Sequence, residues 1–153
     1  MTGTEAITDV EVFRTDDRKL KRRAALAVDP YFPVGLHGQP DPEAALRKML
    51  RFAEFIVAVR AGGPVGLSVM YANDLQTRAA YITLFGVMDA CGRQGVGKKL
   101  LDASEELARS RGMERIRLEV TDSNERAVRF YTKNGFVRTG ACEEDSSFME
   151  KML

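Results

Sequence analysis

The feature that most constrains this chain is a β-type run that feeds a glycine-rich turn and then an amphipathic helix. The run is Ala80-Tyr81-Ile82-Thr83-Leu84-Phe85-Gly86-Val87; the turn holds Gly92, Arg93, Gln94, Gly95, Val96 and Gly97; Lys98, Lys99, Leu100 and Leu101 open the helix. Such a junction aims successive backbone N–H groups and the positive end of a helix at one point, which makes it an anion site. The expected ligand carries phosphate.

The remaining elements follow from apolar periodicity and chain breakers. Residues 8–14 alternate and predict a first strand, and 16–27 predict a helix capped by Asp16 or Asp17. Four prolines break up 28–42, and Pro42 then opens a second helix whose apolar stripe is Ala45, Leu46, Met49, Leu50 and Ala53. Residues 55–59 and 65–71 flank Gly62-Gly63-Pro64 as a hairpin, and 79–87 form a fourth strand. Val96, Leu100, Ala103 and Leu107 give the next helix one apolar face, and Gly112 stops it. Residues 116–120 alternate as a fifth strand. A helix capped by Asp122 or Ser123 follows, burying Ala127, Phe130 and Tyr131 and ending at Asn134-Gly135. Residues 136–137 and 148–152 close the chain as strands. Hairpins joined to helical crossovers predict an α+β fold on a mixed sheet, in one domain spanning 1–153.

With 153 residues, 44% of them hydrophobic, the chain can bury one sizeable core. A net charge of +1 gives no global field that would favour nucleic acid or an acidic membrane. The basic run Arg14, Arg18, Lys19, Lys21, Arg22, Arg23 reads as a solvated helix face. No apolar run reaches membrane-spanning length, and residues 1–5 lack the character of a signal peptide. Two cysteines and one histidine (His37) argue against a disulfide framework and a zinc site, so a cytoplasmic protein without metal is expected.

Three phosphate-binding patterns compete for the turn. The dinucleotide fingerprint G-x-G-x-x-G fails because Leu100 stands where its third glycine belongs. The nucleoside-triphosphate loop G-x-x-x-x-G-K-[ST] matches from Gly92 to Lys98, but Lys99 replaces the hydroxyl that would ligate magnesium. The third pattern uses more of the chain. Residues 87–97 resemble the pyrophosphate motif Q/R-x-x-G-x-G/A of the GNAT superfamily of acetyl-coenzyme-A-dependent N-acetyltransferases, with Gly95 and Gly97 in register. The superfamily's second signature is matched by Leu118-Glu119-Val120, Asn124, Ala127, Phe130-Tyr131 and Gly135-Phe136. The two stretches cover 82–137. One departure stands out: Gly92 occupies the Q/R position, and Arg93, Lys98 or Lys99 is left to supply the cation.

The resemblance implies a three-layer α/β arrangement: a mostly antiparallel sheet of six to seven strands flanked by about four helices. It implies acetyl-coenzyme A as cosubstrate, held by Phe85, Gly86, Val87, Arg93, Gln94, Gly95, Val96, Gly97, Lys98, Asn124, Ala127 and Tyr131. Main-chain groups of Phe85, Gly86 and Val87 would pair with the pantetheine arm, and the Val87 N–H would face the thioester oxygen. Tyr131 would protonate the leaving thiolate, and Glu119 would take a proton from the amine. A glycine inside a strand also fits a packing accommodation, and Tyr131 and Glu119 also fit a core phenol and a solvent-facing carboxylate. Tyr31 and Phe32, in the proline-rich loop, are candidate acceptor-binding residues. Cys91 reads as a small loop residue, and Glu143-Glu144-Asp145 as a solvated turn able to attract a cationic amine.

The expected reaction is acetyl transfer to a primary amine through a ternary complex, with a small-molecule amine or amino sugar favoured over protein. A non-catalytic acyl-coenzyme-A sensor and a peptide N-terminal or lysine acetyltransferase are the alternatives. An exposed final strand could also pair across a homodimer.

Overall fold

Among the described residues, seven strands and four helices follow one another as β1(Glu11–Thr15), α1(Arg18–Val28), α2(Pro42–Phe52), β2(Glu54–Arg60), β3(Gly63–Tyr71), β4(Ala79–Val87), α3(Val96–Ser110), β5(Arg115–Thr121), α4(Glu125–Lys133), β6(Val137–Glu143) and β7(Ser146–Met152). The computed structural model describes residues 10–32, 35–88 and 95–153. The strand order in the sheet is β1-β2-β3-β4-β5-β7-β6. Pairing is antiparallel for β1–β2, β2–β3, β5–β7 and β6–β7, and parallel for β4–β5. The mixed, mostly antiparallel sheet with four helices agrees with the expected class. Among the described residues no helix is long and apolar enough to cross a membrane.

Two compact units divide the chain: Met1–Met70 with Leu84–Glu106, and Tyr71–Thr83 with Leu107–Leu153. In the first, β2 is the central strand. Phe55, Ile56, Val57 and Ala58 are consecutive and all fully buried, as a strand covered on both faces requires. Asp17 caps α1 by accepting from the backbone N–H of Lys19 and Leu20 at 2.9 and 3.2 Å, which selects it over Asp16. Most of the basic run is exposed, but Lys21 is buried with its ammonium 5.3 Å from the centre of the Phe55 ring. Asp41 caps α2 through Ala44 N–H at 3.1 Å, with Pro42 in the first turn, and Leu46, Met49 and Leu50 face inward.

The buried stripe of α3 is rotated from the expected one. Val96, Leu100, Leu101, Ser104, Glu105 and Ala108 are buried, whereas Ala103 and Leu107 are only half-buried. Ser104 explains the shift. Its hydroxyl lies 2.8 Å from Ser68 Oγ and donates to Leu100 O at 2.8 Å, so two hydroxyls satisfy each other in an otherwise apolar interior.

In the second unit, Ile116, Leu118 and Val120 alternate inward along β5, as period two predicts. The β4–β5 register runs from Ala79↔Arg115 to Ile82↔Leu118. Gly112, with φ +81°, ends the preceding helix, and Met113 N–H bonds back to Ala108 O at 3.0 Å. The C-terminal hairpin corrects three expectations. β6 extends to Glu143 although its residues have no apolar alternation, because pairing with β7 and not burial makes it a strand. Glu144 and Asp145 are the two turn residues, with Asp145 at φ +61°. And β7, the final strand, lies between β5 and β6, so its two edges are already paired and β6 is the outer strand.

Candidate functional site

Most of the residues singled out by the sequence lie in the first unit: Tyr31 and Phe32 between α1 and α2, Phe85, Gly86 and Val87 on the end of β4, and Gly95, Val96, Gly97 and Lys98 at the start of α3. Met88 N–H bonds Val65 O at 2.8 Å and holds the end of β4 against the neighbouring strand. A Cβ built on Gly86 would meet the Phe32 ring, at 2.7 Å from Cδ1 and closer still to Cε1. The ring of Phe32 (5% exposed) therefore occupies the space a side chain would need, and the missing Cβ has a packing reason. Tyr31, its neighbour, is 41% exposed. His37 Nδ1 lies 3.2 Å from Asp29 Oδ2, and Asp29 Oδ1 accepts Leu36 N–H at 2.6 Å, so this carboxylate anchors the loop between α1 and α2.

Gly95 has φ +79° and, among the described residues, nothing within 4 Å of where its Cβ would stand. Its carbonyl accepts Lys99 N–H at 3.1 Å. That bond begins the helix, and the N–H groups of Val96, Gly97 and Lys98 come before any that can reach an intrahelical acceptor. Free N–H groups at a helix start are the kind of donors an anion takes. The Lys98 ammonium pairs with Asp102 on the next turn, at 3.0 and 3.1 Å, and both side chains are exposed. Such a pair is worth a few tenths of a kcal/mol, about 0.3–0.5, so an anion can compete for the lysine. Arg93 and Gln94, with Cys91 and Gly92, lie outside the described residues.

The other four, Glu119, Asn124, Ala127 and Tyr131, lie in the second unit. Asn124 caps α4, accepting Ala127 N–H at 3.2 Å, and so takes the role expected of Asp122 or Ser123. Those two are engaged elsewhere: Asp122 Oδ1 accepts from Arg138 at 3.0 Å and Ser147 at 2.7 Å, and Ser123 Oγ donates to Asp145 at 2.7 Å. Ala127 is half-buried. Tyr131, 8% exposed, meets the rings of Phe130 and Phe136 edge-on at 5.3 and 5.5 Å. Burial pushes its phenol far above the usual value, so it carries its proton at any ordinary pH.

Glu119 is exposed on β5. The Cys142 thiol is pushed up, by burial first and then by the Glu119 carboxylate, against a lowering contribution from Ser146. The Tyr81 phenol is pushed up as well, by burial and then by the Glu119 charge. No sequence pattern marks this grouping, because Cys142 stands on β6 and Glu119 on β5, with β7 between them. Among the described residues no three His, Cys, Asp or Glu side chains are gathered to hold a metal ion.

A sequence model of the acetyltransferase (GNAT) family matches residues 23–136, about three quarters of the chain. The chain belongs to the GNAT acetyltransferase family. It is 35% identical over 79 residues to the "Uncharacterized N-acetyltransferase YdgE" of Bacillus subtilis (strain 168), a match covering 51% of this chain and 50% of that one. The chain thus spans about half the length of the curated relative it matches. Among solved GNAT-fold structures, Ard1 from Thermoplasma volcanium superposes with a TM-score of 0.74 at 27% identity, covering 95% of this chain and 98% of that one. The PaiA N-acetyltransferase from Thermoplasma acidophilum, in complex with coenzyme A, gives a TM-score of 0.74 at 17% identity, covering 94% and 99%. At that identity the second likeness speaks for the GNAT fold alone.

Proposed function

We propose that this GNAT protein transfers an acetyl group from acetyl-coenzyme A to the primary amine of a small molecule, directly and within a ternary complex. The observation that carries this reading is the start of α3, where Gly95 in a left-handed conformation leaves open space beside the amides of Val96, Gly97 and Lys98. That is the donor set a diphosphate takes. The coenzyme A in the Thermoplasma acidophilum neighbour is in keeping with it. Lys98, released from Asp102, would add a cation, and Arg93 and Gln94 are proposed to complete the loop.

The chemistry follows from the side chains. The main chain of Phe85, Gly86 and Val87 would hold the pantetheine arm, with the Val87 N–H donating to the thioester oxygen as negative charge develops there. The amine nitrogen bonds to the acetyl carbon, the carbon–sulfur bond breaks, and two protons must move. Glu119 takes one from the amine. Tyr131 supplies one to the departing thiolate; its high proton affinity makes it a standing donor that never competes as an anion. Neither Cys142 nor the buried Ser68–Ser104 pair lies beside a histidine base among the described residues, so a covalent acetyl-enzyme is not part of the proposal.

The test is a coenzyme A thiol-release screen across amines, amino sugars, peptides with free N-termini and lysine peptides, run beside a thermal-shift titration with acetyl-coenzyme A. Release with small amines together with a raised unfolding temperature supports the reading. Stabilisation without release from any acceptor would make the chain an acyl-coenzyme A sensor, and release from peptides alone would move the acceptor to protein.

A further inference from the structure

Two glycines hold the ring of Phe32 by its opposite edges. A Cβ on Gly86 would meet the ring at Cδ1 and Cε1, and a Cβ on Gly35 would stand 2.9 Å from Phe32 Cβ and 3.1 Å from Cδ2. The Phe32 N–H donates to Asp29 O at 3.0 Å, and the Asp29 carboxylate accepts Leu36 N–H at 2.6 Å, so the backbone before and after the ring is tied to one residue. Phe32 is 5% exposed. A ring enclosed in this way is a standing wall and not a swinging gate.

The wall stands on a definite side of the sheet. Ser68 Oγ lies 2.8 Å from Ser104 Oγ, and a Cβ on Gly66 would stand 2.9 Å from Leu100 Cδ1, so the face of β3 that carries Gly66 and Ser68 packs against α3. The opposite face belongs to α1, whose Lys21 ammonium stands over the ring of Phe55, the register partner of Val69. Phe32 follows α1 after a single short turn and covers Gly86 on that side. Along β4, the Met88 N–H is turned toward Val65 of β3, so alternation turns the Val87 N–H to the other edge of the strand. The last register pair of β4 with β5, Ile82↔Leu118, comes well before Val87. Gly86 Cα and Val87 N belong to one planar peptide unit, which puts the ring next to the amide proposed to receive the thioester oxygen.

We infer that Phe32 sets the length of the acyl group this protein accepts: its ring closes the space beyond the thioester, so that acetyl fits and longer chains do not. The inference rests on the acetyl-transfer reading above and narrows it on the donor side. A coenzyme held at the start of α3 comes from one face of the sheet, and its acyl tip at Val87 is directed toward the other, where the ring stands. An acetyl group ends at its methyl. Each further methylene would have to push an aromatic ring that Gly35 backs from behind, and a filled interior resists such insertion. The ring expected to line the acceptor pocket is thereby assigned to the acyl group instead.

The experiment is a calorimetric titration of the protein, without acceptor, with acetyl-, propionyl-, butyryl- and hexanoyl-coenzyme A, each read against free coenzyme A. On the unaltered protein, butyryl-coenzyme A should bind about ten- to a hundredfold more weakly than acetyl-coenzyme A, the range for forcing methylenes into occupied space. Phe32→Ala should bring the two thioesters level or reverse their order, and Phe32→Leu should fall between. The ratio is internal to each variant, so partial unfolding cannot imitate it, and a ring that served packing alone would not move it. Butyryl bound as tightly as acetyl by the unaltered protein, or a ratio that Phe32→Ala leaves where it was, would overturn the inference and leave acetyl transfer standing. Failure of every thioester to bind would remove the coenzyme site, and this narrower claim with it.

Discussion

The ring of Phe32 lies over Gly86 so closely that one added methyl group would intrude on Cδ1 at 2.7 Å. Phe32 is buried, so its ring has little room to retreat. Gly86→Ala is expected to destabilise the protein by about 1–3 kcal/mol, the range for overpacking a filled interior. Phe32→Leu in the same chain should recover part of that loss. Urea unfolding of the two single variants and the double variant measures the coupling; an alanine at 86 tolerated without cost would mean that the ring yields.

Tyr131→Phe removes one oxygen and keeps the ring between Phe130 and Phe136. The proposed role predicts that kcat falls by about a hundred- to ten-thousandfold, the usual contribution of a positioned acid, while affinity for acetyl-coenzyme A changes little. Steady-state kinetics with a calorimetric titration would check both halves. An undiminished kcat would take Tyr131 out of the reaction.

The same phenol sets an alkaline limit on stability. In the unfolded chain Tyr131 ionises near pH ~10, whereas burial raises its value in the folded protein. The folded state thus binds the proton more tightly, and this contribution is complete below about pH 10 and is lost as pH climbs through the folded value. Midpoints of denaturant unfolding from pH 8 to 11 should bend downward above ~10 in the native protein. In Tyr131→Phe that bend should flatten; an identical curve would assign the alkaline loss to other groups.

Asn124 does structural work whatever it does for a ligand. Its side chain closes the first turn of α4 on Ala127 N–H. Asn124→Ala should cost about 0.5–2 kcal/mol, and Asn124→Asp should cost far less because aspartate caps equally well. Thermal unfolding of both variants tests this. If alanine and aspartate prove equivalent, the cap is not what fixes that helix start.

Much of the fold was legible because turn chemistry and periodicity agreed. Pro42 behind Asp41 marked the start of α2, Gly112 the end of α3, and Asn134-Gly135 the end of α4. What stayed hidden depended on partners far away in sequence. Asp122 looks like a helix cap until Arg138 and Ser147 claim it, which passes the role to Asn124. Ser104 reads as a polar position until Ser68 is found beside it, and the helix turns to bury both. Along β6 there was no pattern to read, since Val137, Arg138, Thr139, Gly140 and Ala141 are all exposed. For the candidate site, the glycines, Glu119 and Tyr131 could be picked out one by one. The thiol of Cys142 near Glu119, and the guanidinium of Arg117 held between Phe148 and Glu150, exist only once three strands lie side by side.

The outermost strand carries one more lesson. β6 slips register against β7 twice, between Arg138 and Gly140 and again between Ala141 and Glu143. Irregularities of this kind twist a ribbon away from straightness, and a crooked rim makes a poor template for a passing chain. A margin left bare in this way can stay soluble at high concentration without a cover, because no incoming strand finds a straight ladder of hydrogen bonds to extend into a fibre.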